Sequence, residues 1–137
     1  MAMDVSCHSL VSMARLAEPL MTDDGSPMTM SYLGASEVVP NYGLMGPFKA
    51  ALQSTLRYLA AELWPAGIRV NAISPGAIET RAAYGPAGCG GFVNYSARRA
   101  PLRTPLDIDE VGPLCAFFAS DAVCVITGGT LYVDDGY

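Results

Sequence analysis

Apolar residues recur at helical spacing from Asp4 to Met21, where Leu10, Val11, Ala14 and Ala17 share one face. Asp4 or Ser6 stands where a cap is needed, and Pro19 marks the end. Thr22 to Ser26 reads as a turn, Pro27 to Tyr32 as a short strand, and Leu33 to Pro40 as a loop. The strongest helical pattern follows, from Asn41 to Leu63 or Trp64, with Ala50, Leu52, Leu56, Leu59, Ala60 and Leu63 as its apolar face. Pro47 conflicts with a helix already running from Asn41, because its ring would press on the carbonyl of Gly43. A kink or irregular first turn is expected there, with Gly43 and Gly46 easing it and permitting close approach of a ligand or partner helix. Pro65-Ala66-Gly67 ends the helix.

Ile68 to Ser74 reads as a second strand, broken by Pro75-Gly76. From Tyr84 to Pro101 no regular pattern stands out, and Gly85, Gly88, Gly90 and Gly91 crowd around Cys89. A mobile loop is expected, not a dinucleotide fingerprint, since no strand precedes the glycines and no helix-opening pattern follows. Thr104 to Asp109 leads into a third helix, capped by Asp107 or Asp109, with Val111, Leu114, Cys115 and Phe118 on one face and an end near Ser120-Asp121. Ile126 to Gly129 reads as turn chemistry, not a phosphate cradle, before a last strand at Thr130 to Val133 and the ending Asp134-Asp135-Gly136. Helices alternating with strands predict parallel crossover units, an α/β fold of about three strands and three main helices.

Composition narrows the function classes. The 137 residues suffice for one domain, and 51% hydrophobic with 15% charged residues predicts a packed chain. A net charge of −5 argues against nucleic acid as a partner. No apolar run approaches the roughly 20 residues that span a bilayer. Met1-Ala2-Met3-Asp4 lacks a basic stretch followed by an apolar one, so no signal peptide and a cytoplasmic location are expected. The cysteines Cys7, Cys89, Cys115 and Cys124 form no C-x-x-C pair and have only His8 beside them. No metal site is expected, and the cysteines read as free thiols. His8 reads as a surface or interface residue.

The candidate chemistry lies around the Asn41 helix. Lys49 is the only lysine of the chain and follows Tyr42 by seven residues, with Tyr32 ten residues before Tyr42. On a continuous helix, Tyr42 and Lys49 would share a face roughly 10 Å apart along the axis. A nearby ammonium would lower the phenol's pKa, making a proton-handling pair. Tyr32 falls at the carboxyl end of its strand, where ligand sites of open parallel sheets lie.

The phrases Ser31-Tyr32-Leu33-Gly34-Ala35, Val39-Pro40-Asn41-Tyr42, Met45-Gly46, Lys49-Ala50-Ala51-Leu52 and Arg69-Val70-Asn71-Ala72-Ile73-Ser74 carry a resemblance. The chain resembles the short-chain dehydrogenase/reductase family, and within it the enoyl-acyl carrier protein reductase branch. The resemblance runs over nearly the whole chain but only the second half of the family's usual length. It departs at Pro75-Gly76-Ala77, where the branch commonly reads Ala-Gly-Pro.

The resemblance implies the C-terminal half of a doubly wound, Rossmann-like sheet. It implies NADH, or NADPH, as cofactor and a trans-2-enoyl thioester on acyl carrier protein as substrate, reduced during fatty acid biosynthesis. By resemblance, Tyr42 stabilises the thioester oxygen and contacts the cofactor, Tyr32 assists at the same oxygen, and Lys49 holds the nicotinamide ribose. Gly76, Ile78 and Thr80 line the cofactor, with Ile78 and Thr80 at the carboxamide. Tyr32, Met45 and Ala82 line the acyl pocket, and the Tyr84–Pro101 segment corresponds to a substrate lid. A homo-oligomer, a tetramer in the family, is implied, with the first two helices as interface. Arg98, Arg99 and Arg103 would form a landing site for the acidic carrier, although pairing with Asp107, Asp109 or Glu110 is the simpler reading.

The Gly-rich phosphate turn of such folds belongs to the half that has no counterpart in this sequence. Residues 1–137 therefore read as the catalytic and substrate half of one domain. Two further readings stay open. One is a ketone or alcohol reductase with Ser31 as helper; the other is a non-catalytic piece that works only with a partner.

Overall fold

The structure is a computed structural model, in which residues 1–21, 24–80 and 90–137 are described. Three strands, β1 (Met28–Met30), β2 (Asn71–Pro75) and β3 (Thr130–Val133), form one sheet in the order β1-β2-β3. Both pairings are parallel, Met28 opposite Asn71 and Ala72 opposite Thr130, so each connection is a crossover. This is the α/β pattern expected from the sequence. β2 is central, and Asn71, Ala72, Ile73 and Ser74 are all buried, as a strand covered on both faces requires.

α1 (Ser9–Ala17) and α2 (Met45–Leu63) cover one face of β2. Leu10, Ala14, Leu52, Leu56, Ala60 and Leu63 pack with Ile68, Val70 and Ala72 in one cluster. The alternate residues of the same stretch turn the other way. Arg69 and Asn71 reach α4 (Val111–Ala119) and the segment after it.

The first helix differs from expectation at its start. Asp4–His8 is a π-helical turn, and neither Asp4 nor Ser6 caps it. The Asp4 carboxylate instead meets the Met1 amino group at 2.7 Å and His8 Nδ1 at 3.1 Å. Pro19 lies in a closing 3-10 turn, Glu18–Leu20, as a helix-ending residue should.

α2 begins at Met45, not at Asn41. Asn41 has φ 63°, a left-handed backbone no helix contains, and the Gly46 N–H bonds the Tyr42 carbonyl at 2.8 Å. Pro47 thus falls in the first turn, where its missing N–H costs nothing and its ring meets no helical carbonyl. The conflict at Pro47 is met by a late helix start behind an irregular turn, the second of the two expected forms. Of the two glycines, Gly43 has open space around it, whereas Gly46, like Gly34 opposite it, serves the chain's own packing. A Cβ on Gly46 would lie 2.8 Å from the Gly34 carbonyl oxygen, and one on Gly34 would lie 2.5 Å from Cδ1 of Tyr42.

The segment read as a loop contains α3 (Gly90–Arg99). Residues 84–89 of it lie outside the described residues. Val93, Ser96 and Ala100 are buried at helical spacing, and Phe92 stacks on Tyr95. The glycines at the helix start hide this period. Arg98 and Arg99 sit in the last turn, where cations suit the helix dipole.

Asp107, one of the two expected caps, caps the 3-10 turn Ile108–Glu110 that leads into α4. It accepts from Asp109 N at 3.0 Å, while Glu110 Oε2 accepts from Asp107 N at 2.8 Å, a full capping box. With Asp107 and Glu110 engaged there, no ion pair joins them or Asp109 to Arg98, Arg99 or Arg103 among the described residues. Arg99 lies over the Tyr95 ring and donates to its hydroxyl at 2.6 Å instead.

Candidate active site

Three elements converge at the carboxyl ends of the strands. The Ser31 N–H extends the ladder past β1 by bonding the Ile73 carbonyl at 2.8 Å. Tyr32 follows in extended backbone and leads into a 3-10 turn, Leu33–Ala35. That turn closes on the start of α2 through Gly34 and Gly46, so the rings of Tyr32 and Tyr42 meet edge-on, 5.0 Å between centroids at 61°.

Lys49 projects from the second turn of α2 and donates to the Met30 carbonyl at 2.7 Å. Tyr42 precedes the helix, so the pair does not share a continuous helical face. The expected electrostatic effect is reversed as well. Burial pushes the Tyr42 phenol above its ordinary range, so Tyr42 stays a neutral donor near pH 7. Burial pulls the Lys49 ammonium below the usual lysine value.

Ser31 is buried, and its hydroxyl oxygen accepts from Gln53 Nε2 at 2.7 Å. Gln53 carries no signal in the sequence, because only the fold brings it to Ser31 from 22 positions away. Arg69 and Asn71 escape sequence reasoning for the same cause. Arg69 Nη1 donates to the Phe118 and Val123 carbonyls, both at 3.0 Å, and Nη2 reaches Ser120 O and Asp24 Oδ1 at 3.4 Å. Asn71 donates to Ile126 O at 2.8 Å and accepts from Gly129 N at 3.2 Å. Thr127 Oγ1 accepts from Val70 N at 2.9 Å, so the Ile126–Gly129 turn is fastened to β2.

A narrow cleft runs along the strand ends. It is lined by Tyr32, Leu33, Ser74, Pro75, Gly76, Ala77, Phe92, Ser96, Tyr132, Asp134 and Tyr137. Ser74 Oγ is buried there with no hydrogen-bond partner among the described residues. The Gly76 N–H is held by the Val133 carbonyl at 2.8 Å, and a Cβ at Gly76 would meet Asp134 Cα at 3.1 Å. Of the expected site residues, the cleft takes in Tyr32 and Gly76, and Tyr42 joins them through its ring contact. Met45 opens α2 half-buried, and Ile78 and Thr80 are half-buried beyond the cleft wall. Ala82 lies outside the described residues. Cys7, Cys115 and Cys124 are free thiols, and Cys89 also lies outside the described residues. Among the described residues no helix is long and apolar enough to cross a membrane.

A parallel sheet with crossover helices, and two tyrosines and a lysine at the carboxyl ends of its strands, define a piece of a doubly wound, Rossmann-like fold. The chain belongs to the enoyl-(acyl carrier protein) reductase family, whose model matches residues 1–137. It is 48% identical over 136 residues to the enoyl-[acyl-carrier-protein] reductase [NADH] FabI of Synechocystis, covering 99% of this chain and 53% of that one. The crystal structure of the Aquifex aeolicus enoyl-[acyl-carrier-protein] reductase (NADH) superposes with a TM-score of 0.93 at 41% identity, covering 98% of this chain and 53% of that one. The Bacillus cereus enoyl-acyl carrier protein reductase, crystallised with NADP+ and indole naphthyridinone, gives a TM-score of 0.92 at 42% identity, with 96% and 51% covered. The chain thus spans about half the length of the curated relatives it matches.

Proposed function

We propose that this chain carries the catalytic residues of an NADH-dependent enoyl-acyl carrier protein reductase, acting on trans-2-enoyl thioesters in fatty acid biosynthesis. The edge-on contact of Tyr32 and Tyr42 carries the reading, because it sets two phenols side by side at the strand ends. The residues fit a bound nicotinamide. Ser74 offers, at the strand ends, a buried hydroxyl with no hydrogen-bond partner among the described residues. Gly76, Ile78 and Thr80 would hold the nicotinamide, which supplies the reducing equivalents when bound.

Tyr42 donates a hydrogen bond to the thioester oxygen as negative charge develops on it. Its raised pKa suits a donor that must stay protonated, not a phenolate base. Lys49 commits one donor to Met30 and has three in all, so it can also reach the ribose hydroxyls. Tyr32 and Met45 line the acyl pocket. Arg98, Arg99 and Arg103 serve as the landing site for the acidic carrier, supported by the engagement of Asp107 and Glu110 in the capping box. A homo-oligomer would cover Met13, Leu16 and Tyr58, each more than two-thirds exposed on α1 and α2 (68%, 72% and 68%). The cytoplasm is the compartment this reaction implies.

Ketone reduction with Ser31 as helper is disfavoured, since Ser31 is buried and already accepts from Gln53. The half-length coverage favours one refinement: turnover needs the rest of the fold. The test joins residues 1–137 behind the first half of the Synechocystis relative and assays a crotonyl thioester with NADH. Crotonyl-thioester turnover is expected, with Tyr42→Phe lowering kcat about a hundredfold at unchanged NADH affinity. Equal losses in rate and affinity would refute the role of Tyr42, and preferential turnover of a ketone would refute the reaction.

A further inference from the structure

α2 sends two side chains, one turn apart, to consecutive residues at the end of β1. Lys49 Nζ bonds the Met30 carbonyl and Gln53 Nε2 bonds the Ser31 hydroxyl, both at 2.7 Å. Ser31 is 4% exposed and is held twice, by β2 through its backbone N–H and by α2 through its side chain. The next residue is Tyr32, whose ring rests on Tyr42. We propose that Gln53 is a positioning residue, fixing Tyr32 against Tyr42 through Ser31 and doing so independently of Lys49.

The chemistry of the two side chains explains the division. Lys49 is the group that a ligand would draw on, so a strand end held by Lys49 alone would share its ammonium with a ligand. Gln53 is neutral and bonds a hydroxyl, so its hydrogen bond survives that change. Because Ser31 is buried, breaking its bond to Gln53 also leaves a hydroxyl oxygen short of a donor, which water replaces only if the strand end opens. The meaning of this for turnover rests on the proposed role of Tyr32, whereas the position of the ring does not.

The test reads the proximity of the two rings, not turnover, so it fails or succeeds apart from the proposed reaction. In the 137-residue chain with ring-labelled tyrosine, the Tyr32–Tyr42 nuclear Overhauser effect is measured for four variants, with far-UV circular dichroism as the check on folding. Gln53→Met keeps the size but not the donor, and the Overhauser effect is expected to disappear. Gln53→Glu accepts the Ser31 proton in place of donating, and the effect is expected to persist. Ser31→Ala removes the acceptor and is expected to match Gln53→Met, while Lys49→Met is expected to leave the effect intact. An unchanged Overhauser effect in Gln53→Met, or its disappearance in Gln53→Glu, overturns the proposal, as does its disappearance in Lys49→Met. Should Gln53→Met not fold, Ser31→Ala decides. Separation of the rings at retained helicity supports the proposal, and rings still in proximity overturn it.

Discussion

Arg69→Met is the sharpest test of how the sheet is held to its second helical layer. Arg69 is 1% exposed, the largest of the fully buried side chains. Its two close bonds, both 3.0 Å, end on the Phe118 and Val123 carbonyls, which close α4 and the 3-10 turn after it. Hydrogen bonds to a charged group contribute about 1.5–3 kcal/mol each, so two of them bracket about 3–6 kcal/mol. Removing the guanidinium also removes its desolvation cost, and methionine restores part of the packing, which points to the lower end, about 3 kcal/mol. For a chain of this size, each kcal/mol shifts Tm by about 4 °C, so a fall of about 12 °C is expected. The bond to Asp24 is longer, 3.4 Å, and that carboxylate is 48% exposed. Asp24→Asn should therefore cost no more than about 1 kcal/mol. Urea unfolding of both variants, at low and at high salt, separates the contributions. A loss under about 1 kcal/mol in Arg69→Met, or equal losses in both variants, would show that the carbonyl network is not what holds this layer.

Three further outcomes follow from the site. Tyr42 has a folded pKa raised by burial, so its proton stays on while the unfolded chain's tyrosine ionises near pH 10. Stability from this group is complete below about pH 10 and declines as pH rises toward the folded value. Tyr42→Phe should flatten that alkaline decline in denaturation curves, and an unchanged slope would contradict the burial of the phenol. Gly34→Ala puts a Cβ 2.5 Å from the Tyr42 ring. It should cost about 1–3 kcal/mol and displace the ring from Tyr32, read by unfolding and by tyrosine ring shifts. In the fusion with the Synechocystis first half, Arg98→Glu with Arg103→Glu should raise KM for acyl carrier protein substrates and leave KM for crotonyl-coenzyme A within about twofold. Equal changes for both substrates would remove the carrier-docking role.

The strands and long helices are legible in the sequence because their signals are local. Leu52, Leu56, Ala60 and Leu63 repeat on one face, and the Asn71–Ser74 run has the continuous burial of a central parallel strand. Asp107 is readable as a cap from its spacing to Glu110. The start of α2 is misplaced by the pattern, which does not reveal that Asn41 takes a left-handed backbone and so lets Pro47 fall in the first turn. α3 is hidden by Gly90 and Gly91, which dilute the Val93–Ser96–Ala100 period. Tyr32, Tyr42 and Lys49 stand out by spacing and resemblance, yet spacing misreads the electrostatics of the pair, since burial governs the phenol and the ammonium is tied to Met30. Gln53, Arg69 and Asn71 are invisible because a buried polar group is defined by partners far away in sequence, which one chain read alone does not disclose.

The proposed reaction depends on Lys49 and the strand-end residues holding a nicotinamide cofactor. The decisive experiment is a titration of NADH onto the folded fusion of residues 1–137 with the first half of the Synechocystis relative, followed by fluorescence or calorimetry. Measurable binding is predicted, weakened by Lys49→Met at least about tenfold, the equivalent of one charge-assisted hydrogen bond of about 1.4 kcal/mol. A folded chain with no affinity for NADH, or one whose dissociation constant is the same with methionine at this position, would contradict it.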